Sequence, residues 1–434
     1  MFKKLTLGFL IVLAIVATIS ATQQTPAAKT PAACLQEVRD FAAKSQQEMV
    51  ENTKPTAGET GIQLSQRRAP LIAQINQAKI ALARQCAARI DQKTLTDKDL
   101  VSMADLYVEA GQPDLAGSVV ANALVIKTYS PAERAGLLVY AVTTVLREPK
   151  SDDRNARLEK FVSELDSSPV ATIEQKLEAH GRMNSWYRYD DIDEGIIRHS
   201  TFIIDAKKNL NAEQRKKYGG LIVGAYVNMA EALAGQGMND RALALLNTAK
   251  TEMSDVPTVS RSVDPEIDRL KLVGTAAAPI KAPRWLNMPG GKTEIAMPGS
   301  VTLLEFSAHW CVPCKESYPG VNRLLAKYGA RGFRTVLVTR FYGYFEQERN
   351  ITPEVEFERD RKYFVEHEMN VPIAVGDRPT AAAPDPNDVS YKVGGIPQIH
   401  LVDKQGKIRL VMVGYDDANE PKLAKMIEDL LKEK

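Results

Sequence analysis

Apolar and polar positions follow two different rhythms along this chain. From about Pro31 to Val273 the apolar residues recur with a helical period, turn residues separate segments of helical length, and alternating Val/Ile runs are nearly absent. PAACLQEVRDFAAKSQQEMV sets Leu35, Val38, Phe41 and Met49 on one helical face. The polar stretch ENTKPTAGETG predicts a loop, and a second helix follows from about Ala69 to Ile90. Beyond residue 300, strands alternate with helices. VTLLEFSA (301–308) reads as a buried strand and RTVLVT (334–339) as another. Residues 352–368 predict a helix with Thr352 as N-cap and Pro353 at the first helical position. VPIAV, QIHLVD and KIRLVMVG give three more strands, the last two joined at the turn KQG. The final segment places Leu423, Met426, Ile427, Leu430 and Leu431 on one face with charges opposite, an amphipathic helix suited to covering a sheet. The expected fold class is an all-helical N-terminal domain followed by an α/β domain.

Small residues refine the helical part. Tyr107, Gly111, Ala116 and Ala123 are spaced by 4, 5 and 7 residues, and Leu233, Gly237, Ala242 and Ala249 repeat that frame. These resemble tetratricopeptide units, in which small residues let two antiparallel helices approach closely at the turn. A degenerate third copy is expected with Trp186 and Gly195 in frame. A helical bundle with no groove function is the alternative. Near residue 274 the composition shifts to Ala, Pro and Gly, which gives the boundaries 31–273 for the helical domain, 274–300 for a linker and lead-in, and 301–434 for the α/β domain.

The N-terminus adds a location. Lys3 and Lys4 precede an apolar run from Leu5 to about Ile19 and small residues at Ser20 and Ala21, the layout of a secretory signal over 1–21, with 22–30 as a spacer. The run is shorter than the roughly 20 residues of a spanning helix, and an uncleaved anchor is the alternative. Either way the rest of the chain is expected outside the cytoplasm, with the membrane as a partner only if the segment is uncleaved. Composition excludes little else. Of 434 residues, 44% are hydrophobic and 25% charged, and the net charge of +2 is spread along the chain, so neither nucleic acid nor a strongly acidic partner is indicated.

Export changes how the four cysteines are read, because disulfides persist outside the cytoplasm. Cys34 opens the first helix and Cys86 ends the second, so antiparallel packing would bring them to the same end. A disulfide there would stabilise by up to ~4 kcal/mol in the chain-entropy model; two buried free thiols are the alternative. Cys311 and Cys314 form a C-x-x-C. No second C-x-x-C exists, and His367 and His400 are far apart in sequence, which argues against zinc. So short a loop hardly constrains the unfolded chain, which argues against a structural staple. What remains is a dithiol that opens and closes. Cys311 falls where strand turns into helix, and unpaired N–H groups there favour its thiolate as nucleophile, with Cys314 as the resolving thiol. His309 reads as a rim residue.

At this point the sequence resembles the thioredoxin family over about residues 275–434. Trp310 precedes Cys311-Val312-Pro313-Cys314, Pro319 matches the proline that kinks the family's active-site helix, and Glu305 falls where thioredoxin has a buried Asp. Ile396-Pro397, just before a strand, matches the cis-proline segment that faces the dithiol. Within the family the chain is most similar to exported TlpA/ResA-type thiol–disulfide reductases; Val312, the longer Glu305 and the long connections FYGYFEQERN and RPTAAAPDPND depart from that pattern. The resemblance implies a thioredoxin fold, Cys311, Cys314, Glu305 and Pro397 as catalytic residues, Trp310, Ile396 and Pro313 as substrate-binding residues, and no metal or organic cofactor. Glu305 would shuttle a proton from Cys314, the alternative being a carboxylate paired to Lys or Arg. Val-Pro between the cysteines supplies no charge of the kind carried by strongly oxidising relatives, so the expected activity is reduction of protein disulfides, fed by an upstream membrane electron donor, with the helical domain a structural or protein-binding module. An envelope disulfide oxidase or isomerase, and a non-catalytic helical scaffold, are the alternatives.

Overall fold

Thr30 and Pro31 start the first helix: the Thr30 hydroxyl accepts the Ala33 N–H at 3.3 Å, and Pro31 occupies a position whose N–H would be unpaired anyway. The computed structural model describes residues 29–56, 61–126, 128–151, 153–380 and 382–433, so the signal-like segment 1–21 lies outside the described residues. These fall into two compact units, one ending at Arg182 and one spanning Met183–Lys434. Among the described residues no helix is long and apolar enough to cross a membrane.

The first unit is helical. Helix α1 (Pro31–Asn52) and α2 (Gly61–Ala88) lie antiparallel. Cys34 and Cys86 are joined at one end by a disulfide with Cα atoms 5.8 Å apart, and at the other Arg68 donates to the Thr53 carbonyl at 2.9 Å. Helix α2 begins at Gly61, earlier than the expected Ala69, and carries Pro70 within it. Helices α3 (Leu100–Glu109), α4 (Pro113–Val125), α5 (Pro131–Val145) and α6 (Arg154–Ser167) follow, then α7 (Ile173–Tyr189), within which the division falls. The two cysteines share a core with Val38, Met103, Leu106 and Val120.

The second unit continues with α8 (Asp193–Ala206), α9 (Ala212–Gly235), α10 (Asn239–Glu252) and α11 (Val259–Leu270). One turn geometry recurs in both units. Gln112 N–H bonds the Tyr107 carbonyl at 2.9 Å around Gly111 (φ +66°), and Met238 N–H bonds the Leu233 carbonyl at 2.9 Å around Gly237 (φ +78°). The third example is shifted by one residue from the sequence frame. Ile192 N–H bonds the Tyr187 carbonyl at 2.9 Å around Asp191 (φ +51°), so Tyr187 rather than Trp186 holds the frame position. Aspartate tolerates the left-handed region better than most residues, which hid the turn from a search for glycine. Gly195 answers a different need: the Tyr187 ring lies so close that a Cβ there would collide with it. The same turn also ends helices outside this part, as at Phe364–Met369 around Glu368 (φ +58°), so it marks helix ends in general.

The rest of this unit is built on a six-stranded sheet. Strands β1 (Ile280–Lys281) and β3 (Glu294–Ile295) pair with each other. Strands β2 (Arg284–Leu286), β4 (Val301–Phe306), β5 (Phe333–Arg340), β8 (Ile373–Gly376), β9 (Gln398–Val402) and β10 (Ile408–Val413) form the sheet in the order β10-β9-β4-β5-β8-β2. β4, β5 and β8 run parallel, while β9, β10 and β2 run antiparallel to their neighbours. The expected linker is therefore largely structural: β2 is an edge of the sheet, and Gly274 N–H reaches the Ile408 carbonyl at 2.7 Å. Helix α12 (Val312–Tyr328) connects β4 to β5. The hairpin β6 (Tyr344–Phe345) and β7 (Glu348–Arg349), α13 (Pro353–Glu366) and the short α14 (Pro386–Ser390) come before β9, and α15 (Glu420–Lys432) closes the chain. All six residues of β4 are buried, as a central strand covered on both faces requires. On one face Leu303, Leu337 and Leu401 pack with Tyr318 and Leu324 of α12 and Ile427 of α15; on the other, Leu304, Phe306 and Val338 pack with Ile280 and Tyr391. This β4-α12-β5 and β9-β10-α15 arrangement has the layout of a thioredoxin-like sheet, with α13, β8 and α14 inserted between its halves.

Candidate active site

Cys311 follows β4 at the point where the chain turns into α12. It is the N-cap of that helix, with extended backbone (φ −84°, ψ 102°), and its Sγ accepts the Cys314 N–H at 3.2 Å. Helix geometry thus aims an unpaired donor at this sulfur, the arrangement that stabilises a thiolate once the thiol is free. Cys314 sits one turn in and is fully buried, and the two are joined as a disulfide with Cα atoms 5.2 Å apart. Pro313 lies in the first turn, where its missing N–H removes no helical bond. Trp310 and Val312 stay exposed beside the pair, at 45% and 64%.

A cis peptide bond lies at Ile396–Pro397, just before Gln398 of β9, which pairs with Phe306 at the end of β4. Ile396 is half-buried against the apolar cluster that includes Cys311 and Cys314, and also against the cluster on the sheet's other face. Two polar residues missed in the sequence fix that segment. Gln398 accepts the Gly394 N–H at 3.2 Å and donates to the Tyr391 carbonyl at 3.0 Å and to His400 Nε2 at 2.9 Å. Burial pushes His400 down to about 3, so its ring is neutral and able to accept that bond. Their signal was a polar pair at alternate positions of an otherwise apolar strand. The Pro397 carbonyl accepts the Gly414 N–H at 2.8 Å, which ties the segment to the end of β10.

Glu305 lies on β4, fully buried, and among the described residues no charged group acts on it. Its Oε1 meets the Ser317 hydroxyl at 2.7 Å, and that hydroxyl also reaches the Cys314 carbonyl at 2.6 Å, while Oε2 has no partner. Burial pushes the carboxyl up to about 8, against a smaller lowering by the Ser317 bond. The Ser317 hydroxyl thus stands between the Glu305 carboxyl and the Cys314 carbonyl, placed to donate to either. Ser317 was not singled out in the sequence, although its place three residues after Cys314 puts it on the same helical face.

His309 is not a rim residue. Its ring is buried, stacked on Phe345 with centroids 4.7 Å apart and edged by Tyr342 and Tyr344. The long connection FYGYFEQERN supplies these rings, so the side chain points inward rather than to the site's mouth. Among the described residues no group of His, Cys, Asp and Glu is arranged to hold a metal. Cys34 and Cys86 belong to the first unit and take no part in this site.

No family model and no curated protein matches the chain. Its structural neighbours among solved structures are thioredoxin-like thiol–disulfide proteins, matched over the C-terminal part. A protein assigned as the thiol:disulfide interchange protein DsbE from Chlorobium tepidum is 26% identical over 37% of this chain and 97% of its own, with a TM-score of 0.28. A thiol-disulfide isomerase from Corynebacterium glutamicum is 22% identical over 37% and 98%, with a TM-score of 0.30. StoA from Bacillus subtilis is 19% identical over 34% and 99%, with a TM-score of 0.25.

Proposed function

We propose that this chain is an extracytoplasmic thiol–disulfide oxidoreductase that reduces disulfides of other proteins through Cys311 and Cys314. One observation carries the reading: a C-x-x-C whose first sulfur caps a helix shares an apolar cluster with the residue of a cis Ile396–Pro397 bond. In the reduced protein the Cys311 thiolate attacks one sulfur of a substrate disulfide, forming a mixed disulfide and releasing the other substrate sulfur as a thiolate that takes a proton from water. Cys314 then loses its proton, attacks Cys311 Sγ and releases the second substrate thiolate. Two electrons have passed to the substrate, and the Cys311–Cys314 disulfide has formed.

Glu305 is the proton store for the second sulfur. In the oxidised form its carboxyl holds a proton up to about pH 8. When an external dithiol opens the disulfide, Cys314 leaves as a thiolate and takes that proton; on reoxidation it returns it to the carboxylate. The uncharged Val312-Pro313 between the cysteines favours the reducing direction, and the electron source is then a membrane-bound dithiol donor. The helical residues serve as a structural or partner-binding module. Cys314→Ser tests the reading by blocking resolution: substrate proteins from an extracytoplasmic extract should accumulate on Cys311 as adducts that dithiothreitol releases. Recovery of no adduct overturns it.

A further inference from the structure

Trp310, next to Cys311 in the chain, is backed by a segment that the proposed chemistry leaves unused. Tyr342, just after β5, sets the edge of its ring against Trp310 at 5.4 Å, and Trp310 adjoins Cys311 in sequence. The backbone behind that ring is held by Glu356 of α13, which is fully buried. Its Oε1 accepts the Tyr342 N–H at 2.7 Å and its Oε2 the Gly343 N–H at 2.8 Å, with Gly343 in the left-handed region at φ +76°. Each donor meets its own oxygen, an arrangement that a carboxylate supplies and an amide, with one oxygen and one NH2, does not. The only cationic side chain that acts on Glu356 among the described residues is Arg378, at a distance that leaves no salt bridge. His309 Nε2 lies 3.9 Å from Glu356 Oε1, but burial pushes that imidazole down to about 4, so at neutral pH it packs as an uncharged ring under Tyr342, Tyr344 and Phe345. The carboxylate is thus spent on backbone, and what it fixes is the ring that backs Trp310. The exposed surface beside Cys311, Trp310 and Val312, is apolar.

Resting on the reading of Cys311 and Cys314 as an exchange site, we propose that Glu356 is a positioning residue for substrate capture: by clasping the Tyr342–Gly343 backbone it holds Tyr342 behind Trp310, as a wall on which polypeptide disulfides flanked by apolar residues dock beside Cys311. On this proposal a polypeptide disulfide uses the wall for docking, whereas a low-molecular-weight disulfide has no flanking residues to set against it.

The test is steady-state reduction of insulin and of oxidised glutathione by the full chain, with dithiothreitol as electron donor, in wild type, Glu356→Gln and Tyr342→Leu. Glu356→Gln keeps the shape but turns an amide N–H toward one of the two backbone donors. Both variants should raise KM for insulin about threefold or more while kcat stays within about twofold, and should leave the glutathione reaction with no such split. An unchanged KM for insulin in folded variants, or equal losses of kcat on both disulfides, overturns the inference. Where circular dichroism shows Glu356→Gln unfolded, Tyr342→Leu decides alone. A wild-type chain that reduces neither disulfide overturns the functional reading, and this inference with it.

Discussion

Glu305 replaces what would be an apolar position in a strand buried on both faces, and burial in the oxidised fold favours its neutral form. Its carboxyl stays protonated up to about 8 in the folded protein, against an ordinary value of 4.5. Below 4.5 both folded and unfolded chains hold the proton and there is no cost. Between 4.5 and 8 the unfolded chain releases it while the folded one does not, so stability falls as pH rises, and above 8 the loss is complete. Glu305→Gln removes that term. Urea midpoints of the oxidised variant and wild type should coincide near pH 4.5 and separate in the variant's favour toward pH 8; midpoints that stay parallel across this range contradict the assignment. Asp360, buried and also pushed up to about 8, gives wild type and variant the same residual slope. Glu305 drew notice only through the resemblance to thioredoxin, which has an acid at that place. Its partner Ser317 drew none, because a single serine on a helix face carries no pattern. His309 was misread for a related reason: the rings that bury it come from a connection whose path no local rule fixes.

At the level of elements, strong punctuation was legible and tolerant positions were not. Thr352 and Pro353 begin α13 as expected, with the Thr352 hydroxyl accepting the Val355 N–H at 3.4 Å. Residues 423, 427 and 430 of α15 are buried as its apolar stripe requires. Helix α2 starts at Gly61, eight residues before the expected Ala69, and runs through Pro70. The third hairpin was misaligned by one residue because Asp191 does the work of a glycine. The short strands β1, β2 and β3 have too few residues for a period to emerge, and only pairing reveals them. The α1–α2 pair offers a clean measurement. Its disulfide closes a segment with a separation of 52 residues, so Cys34→Ser with Cys86→Ser should lower the stability of the first unit by up to ~4 kcal/mol. Limited proteolysis followed across a urea series checks this; unchanged protection would show that packing alone holds the pair.

Across the whole molecule, periodicity separated a helical part from an α/β part, and the composition shift near residue 274 marked where strands begin. The compact units divide elsewhere, at Arg182, because α8 to α11 group with the sheet rather than with the earlier helices. A grouping of that kind depends on side-chain contacts between distant segments, which no single stretch of sequence displays. The site draws on the same long-range order: Cys311 at a helix start, Ile396–Pro397 before β9, and Glu305 on β4. All of the proposed chemistry depends on the state of one sulfur. The most direct measurement is the rate of iodoacetamide alkylation of Cys311 against pH, in the full chain after mild reduction. The helix-cap geometry predicts a midpoint well below the ~8.5 of free cysteine. A midpoint at or above that value would contradict the assignment of Cys311 as the attacking thiolate.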